Sequence, residues 1–71
     1  MEDMLAYLVR EAREKSDLTQ EGMAEKMGIS RKTYLYLEKE PRKMTVQQAV
    51  DFCAVTGFSF NAFSFANEVR K

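Results

Sequence analysis

Histidine is absent from this chain of 71 residues, and cysteine occurs once. Without imidazole or a cysteine cluster, the usual zinc sites and the Ser-His and Cys-His nucleophile pairs are excluded. Carboxylates alone remain as catalytic groups, but a helical chain this short leaves little room for an enclosed pocket, so no enzyme activity, metal or cofactor is expected. The lone Cys53 permits no intrachain disulfide, and its place in an apolar helical pattern favours a buried thiol. No apolar run approaches bilayer length, so no membrane span is expected. Met1 is followed at once by Glu2 and Asp3, where a secretory leader would carry positive charge, and a cytoplasmic protein is the expectation. Proline occurs only at Pro41, and no linker, repeat or low-complexity stretch divides the chain. Residues 1–71 are therefore read as one domain, near the lower size at which a single core holds a fold together.

Net charge is also lacking, since 11 Lys and Arg balance 11 Asp and Glu. A neutral sum argues mildly against a nucleic-acid binder, but the distribution matters more. Residues 2–25 carry seven acids (Glu2, Asp3, Glu11, Glu14, Asp17, Glu21, Glu25) against Arg10, Arg13 and Lys15. Residues 30–44 reverse the balance, with Arg31, Lys32, Lys39, Arg42 and Lys43 against Glu38 and Glu40. One basic face is what phosphate binding needs.

What the chain has is apolar content, 45 %, arranged with helical spacing. Helix 1 is expected from about Asp3 to Lys15, with Met4, Leu5, Leu8, Val9 and Ala12 as its apolar stripe. Helix 2 follows the N-cap Thr19, places Met23, Ala24 and Met27 at helical spacing, and stops at Gly28. Ser30 caps helix 3, whose inward positions are Thr33, Tyr34 and Leu37. Pro41 forces a break. Helix 4 runs from Thr45 to about Thr56, with Val46, Ala49, Val50, Cys53 and Ala54 inward, and Gly57 ends it. Helix 5 follows Ser59 and carries Phe60, Phe63 and Ala66, with Phe60 and Phe63 expected to face the core. Four starts share one pattern of apolar residue, hydroxyl cap and apolar fourth position: Leu18-Thr19-Met23, Ile29-Ser30-Tyr34, Met44-Thr45-Ala49 and Phe58-Ser59-Phe63. These are hydrophobic staples around N-caps, and Gln48 completes a capping box with Thr45.

Thr19 to Glu38 thus encodes two short helices joined by a tight turn, the second opening with Arg31 and Lys32. That is the plan of a helix-turn-helix, in which the second helix lies in the DNA major groove. The run from about Leu5 to Phe63 resembles the lambda-repressor-like, Cro/repressor type (XRE family) of helix-turn-helix domain. The resemblance is carried by Arg13, Leu18-Thr19-Gln20, Met23-Ala24, Met27-Gly28-Ile29-Ser30, Thr33-Tyr34, Leu37-Glu38 and Gly57-Phe58-Ser59-Phe60. It implies an all-α, compact five-helix bundle that binds double-stranded operator DNA, usually as a symmetric homodimer. Arg13 and Glu38 match a family pair that forms a salt bridge between helix 1 and the end of helix 3. Gln20 matches a glutamine that touches a phosphate; otherwise it is a solvated helix-start residue. Arg31 and Lys32 stand where side chains reach base edges, and arginine can hold guanine in a bidentate manner.

Tyr36 matches a position used for base or phosphate contact, whereas Leu35 is read as the rim of the core. Ser30 and Thr33 are counted among the phosphate contacts, Thr33 being read as an inward position as well. Arg42 and Lys43 match a loop that rides along the DNA backbone, or are solvated loop cations. The sequence departs from the family at Lys39-Glu40-Pro41, which replaces a common glycine, and at Gly22, a costly residue inside a helix.

Phe52, Phe58, Phe60, Phe63 and Phe65 crowd the last 20 residues. Phe65 and Phe52 fall off the main inward stripes and are the expected dimer contacts, the alternative being that all five are core or singly exposed. The function expected is a sequence-specific DNA-binding transcriptional regulator of bacterial, phage or mobile-element type. Helix 30–38 would read the major groove, and repression is the commoner outcome in small domains of this kind. The alternative is a protein-interaction module, such as the antitoxin of a toxin–antitoxin pair, with DNA binding secondary or lost.

Overall fold

In the computed structural model, which describes residues 3–69, four hydroxyl side chains set where helices begin. Thr19 Oγ1 accepts from the backbone N–H of Gly22 at 2.9 Å, and Ser30 Oγ from Thr33 at 3.0 Å. Thr45 Oγ1 accepts from Gln48 at 3.0 Å and Ser59 Oγ from Ala62 at 3.2 Å. The Gln48 side chain returns a bond to the Thr45 backbone at 2.9 Å, closing the capping box. Each cap satisfies a donor that the first helical turn leaves orphaned, worth about 1 kcal/mol. The resulting helices are α1 (Met4–Lys15), α2 (Gln20–Met27), α3 (Arg31–Lys39), α4 (Val46–Thr56) and α5 (Phe60–Glu68). A single 3-10 turn at Pro41–Lys43 links α3 to α4. No strand occurs among the described residues. Gly28 (φ 72°) and Gly57 (φ 78°) end α2 and α4 in the left-handed region, where a side chain would be strained.

The residues before the four caps, Leu18, Ile29, Met44 and Phe58, are half-buried against the core. The fourth helical residues Met23, Tyr34, Ala49 and Phe63 are buried inside it. The staples thus fix where each helix enters the bundle as well as where it starts. Leu5, Val9, Met23, Tyr34 and Phe52 are the largest fully buried side chains. Around them α2 packs on α3 and α4, and α1 crosses α3, α4 and α5. The Phe63 ring tilts at 52° against Phe52 and stacks with Phe60, both at 6.5 Å between centroids.

Inward expectations on four helices are corrected. On α4 the buried residues are Ala49, Phe52 and Cys53, while Val46 is 74 % exposed and Val50 and Ala54 are also exposed. Apolar residues cover so much of α4 that two faces competed, and the one carrying the large Phe52 ring won because it removes more apolar area from water. Thr33 faces outward on α3, Met4 is exposed on α1, where Ala6 is buried instead, and on α5 Phe60 is exposed while Phe63 is buried.

Candidate nucleic-acid interface

The tight turn Gly28-Ile29-Ser30 sets α3 across α2, and the sequence of α3 divides it cleanly. Tyr34, Leu37 and Glu38 face inward, whereas Arg31, Lys32, Thr33, Tyr36 and Lys39 are exposed and Leu35 is half-buried. The inner face is held by a polar network. Arg13 Nε donates to Glu38 Oε2 at 2.6 Å and Arg13 Nη2 to Oε1 at 3.4 Å. The Tyr34 hydroxyl donates to Oε2 and the Gln20 amide to Oε1, each at 2.7 Å. Arg13 Nη1 also donates to the Leu18 carbonyl at 2.9 Å, tying α1 to the entry of α2. Arg13 and Glu38 are both buried, and no buried side-chain polar atom among the described residues lacks a partner.

Such a network is strong only when every member is satisfied, because an unpaired group at low dielectric is costly. Burial alone would raise the Glu38 carboxyl, but the bonds from Arg13, Gln20 and Tyr34 hold it below the usual carboxylate value. Burial, reinforced by the adjacent Glu38 carboxylate, pushes the Tyr34 phenol far up. Glu38 is thus a charged anchor joining three helices, and the rotation of α3 about its axis is fixed by it. The Arg13–Glu38 pair read from the sequence is in place; Gln20 and Tyr34 are additions to it. Tyr34 carried no polar signal in the sequence because it fits the apolar pattern.

The other expected site residues take different places. Arg31 and Lys32 are exposed on the first turn of α3, with Tyr36 one turn on at 51 % exposure. Ser30 Oγ donates to Thr33 Oγ1 at 2.9 Å while capping α3, which leaves the Thr33 hydroxyl proton available to an outside acceptor. The Gln20 amide nitrogen gives one N–H to Glu38 and keeps a second. Lys43 is exposed on the 3-10 turn.

Arg42 and Phe52 are corrections. The Arg42 guanidinium bonds Asp3 Oδ1 at 3.0 Å and the carbonyls of Ala66 and Val69 at 3.3 and 3.0 Å, and it also meets the Asn67 carbonyl. It caps the C-terminal end of α5, where cations are favoured, and so is turned away from the phosphate role expected of it. Phe52 is fully buried and cannot present its ring to a second copy, whereas Phe65 is 69 % exposed.

Two shallow recesses flank α3 with opposite electrostatics. The one toward α2 is lined by Glu21, Ala24, Glu25, Ile29 and Arg31. The one toward α1 is lined by Arg10, Gln20, Leu35, Glu38 and Lys39. Arg10 and Lys39 were not among the expected contacts, although the spacing of Arg10 three residues before Arg13 already places it on a neighbouring strip of α1. The surface of α4 and α5 is different in kind. Between residues 45 and 67 the only charged side chain is Asp51. That stretch displays Val46, Val50, Phe60 and Phe65 to solvent. No helix among the described residues is long and apolar enough to cross a membrane.

A family model for helix-turn-helix domains matches residues 9–63, from within α1 to within α5. No curated protein and no solved structure matches the chain.

Proposed function

Because this chain belongs to the Cro/repressor type of helix-turn-helix domain over residues 9–63, a family of DNA-binding regulators, we propose that it is a sequence-specific transcriptional repressor. The observation that carries this reading is the division of α3. Its inner face is locked to α1 and α2 through Glu38, while its outer face presents Arg31, Lys32 and Tyr36 to solvent. A rigidly held helix with exposed donors is what reading base edges in the major groove requires. Arg31, Lys32 and Tyr36 are assigned to bases; Gln20, Ser30, Thr33 and Lys43 are assigned to phosphates. Bound across a promoter, the protein would repress by occluding polymerase.

Two copies are assigned to one operator, joined through the charge-poor surface of α4 and α5, where Phe65 is exposed. A self-complementary contact places identical groups near each other across the twofold axis, and an uncharged surface avoids the like-charge repulsion this would otherwise bring. The alternative occupant of that surface is a different protein, as in a toxin–antitoxin pair. Binding to the DNA upstream of its own gene, compared with scrambled DNA over a salt series, tests the reading. Selective binding that is abolished by Arg31→Ala with Lys32→Ala is the expected result; weak, equal binding to both duplexes would defeat it.

A further inference from the structure

The 3-10 turn Pro41–Lys43 sends its side chains in three directions, because each step of such a turn rotates by about a third of a circle. Pro41 is buried, Arg42 is half-buried and Lys43 is exposed. The Lys43 N–H donates to the Glu40 carbonyl at 2.9 Å and the Met44 N–H to the Pro41 carbonyl at 3.1 Å, while Pro41 has no N–H to give. The Arg42 guanidinium adds a longer tie. Its Nη2 donates to Asp3 Oδ1, just ahead of α1, at 3.0 Å, and to the carbonyls of Ala66 and Val69 at 3.3 and 3.0 Å. Its Nη1 meets the Asn67 carbonyl and donates to Asn67 Oδ1 at 3.3 Å. One side chain thus fastens the turn to the start of α1 and to the last turn of α5. The Asp3 carboxylate and the negative end of the α5 dipole both offset its charge, and a phosphate would have to break these bonds to recruit it.

Resting on the DNA-binding reading above, in which Lys43 meets a phosphate, we infer that Arg42 and Asp3 are positioning residues for that contact. The clasp they form with the end of α5 sets the direction of Lys43, and Arg42 itself does not touch DNA. With Pro41 fixed inward and Arg42 fixed on α5, the remaining direction of the turn is the one left to Lys43. The fork of the guanidinium explains why this position is an arginine. Two nitrogens held in one plane reach Asp3 and the α5 carbonyls together, whereas a lysine ammonium is a single point and cannot span them. The clasp has a consequence that charge alone would not give: an acid, Asp3, supports the binding of a polyanion.

The experiment is a salt series on a duplex taken from the DNA upstream of its own gene, with affinity followed by fluorescence anisotropy. The proteins compared are the wild type, Arg42→Gln, Lys43→Gln, the double variant and Asp3→Ala, with Lys26→Gln, an exposed cation of α2, as control. Lys43→Gln is expected to reduce the slope of log K against log salt by about 0.9 for each copy bound. Arg42→Gln should reduce it by the same amount and the double variant no further, with base preference unchanged, because both substitutions remove one and the same contact. Asp3→Ala should weaken binding and reduce the slope as well, although the loss of an acid would by itself strengthen it. Lys26→Gln keeps the wild-type slope. Thermal melts establish that each variant is folded at the temperature of measurement, and Asp3→Ala opens the clasp from its other end should Arg42→Gln prove unstable. A double variant that loses about twice as much slope as either single would place Arg42 on a phosphate and overturn the inference. Tighter binding by Asp3→Ala, or a wild-type slope in Arg42→Gln, would overturn it too while DNA binding stands. If the wild type shows no salt-dependent binding, both readings fall together.

Discussion

At Glu38, one carboxylate accepts from Arg13, Gln20 and Tyr34 and thereby decides how α3 sits. Removing one partner of a buried pair leaves an uncompensated charge, so Glu38→Gln is expected to lower stability by about 3 kcal/mol in urea denaturation at neutral pH. A loss under about 1 kcal/mol would place the pair in water. The sign of the pH dependence follows from the same contacts. Despite the burial that opposes it, Glu38 is held below its ordinary value by Arg13, Gln20 and Tyr34, so the unfolded chain takes up its proton first as pH falls. Its contribution is complete above the ordinary carboxylate value of about 4.3 and is lost as pH drops through the folded value. Tyr34 works in reverse: burial and the neighbouring carboxylate raise it, so its contribution is full below about pH 10 and declines above that. Denaturation midpoints should form a plateau between these limits, and Glu38→Gln should flatten the acid limb.

The Arg13–Glu38 pair was legible through the family resemblance, whereas the roles of Tyr34 and Arg42 were not. Tyr34 reads as an ordinary core aromatic until its hydroxyl is placed, and Arg42 reads as a loop cation until the end of α5 folds back onto it.

Helix starts were readable almost to the residue, because an N-cap is a local bargain between a hydroxyl and an amide three residues away. The inward face of α4 was not local. Its apolar residues permit several rotations about the helix axis, and only packing against α2 and α5 selected the one that buries Phe52. Gly22 occupies in α2 the position that Gln48 occupies in α4, three residues after the cap. A Cβ there would stand 3.2 Å from the Thr19 hydroxyl and 3.7 Å from a Leu18 methyl, with no neighbouring helix in the way. The Thr19 side chain can yield by a few tenths of an ångström, since the equivalent cap Thr45 keeps its bond at 3.0 Å with the full side chain of Gln48 in that position. Gly22→Ala is therefore expected to stabilise the protein by roughly 0.5 kcal/mol and to raise Tm by a few degrees. A fall in Tm would mean that the cap cannot tolerate the contact.

Arg42 supplies the converse case at the other end of a helix. Arg42→Gln should release the last turn of α5, seen as faster amide exchange at Asn67 to Val69 while the α3 amides keep their protection. Equal loosening of α3 would show that α5 and the bundle open as one unit.

Across the whole molecule, charge and apolar surface are sorted to different helices. The charged helices α1 to α3 surround the network that aims the outer face of α3, and α4 and α5 are almost uncharged. The charge reversal between residues 2–25 and 30–44 was visible in the sequence, but the recess that unites Arg10 with Lys39 needed the fold. If the uncharged surface joins two copies, Phe65→Glu and Val46→Glu should each shift sedimentation from dimer toward monomer and weaken operator binding about tenfold or more through lost linkage. A wild type that sediments as a monomer at every concentration, bound to DNA or not, would remove the dimer from the account.

Selection of duplexes from a random pool tests whether the outer face of α3 reads base sequence. Enrichment of an inverted repeat with half-sites about one helical turn apart is expected. With Arg31→Ala, preference should relax at one position in each half-site while the rest of the motif is retained. A pool that stays random after repeated rounds with the folded wild-type protein would contradict base reading by α3.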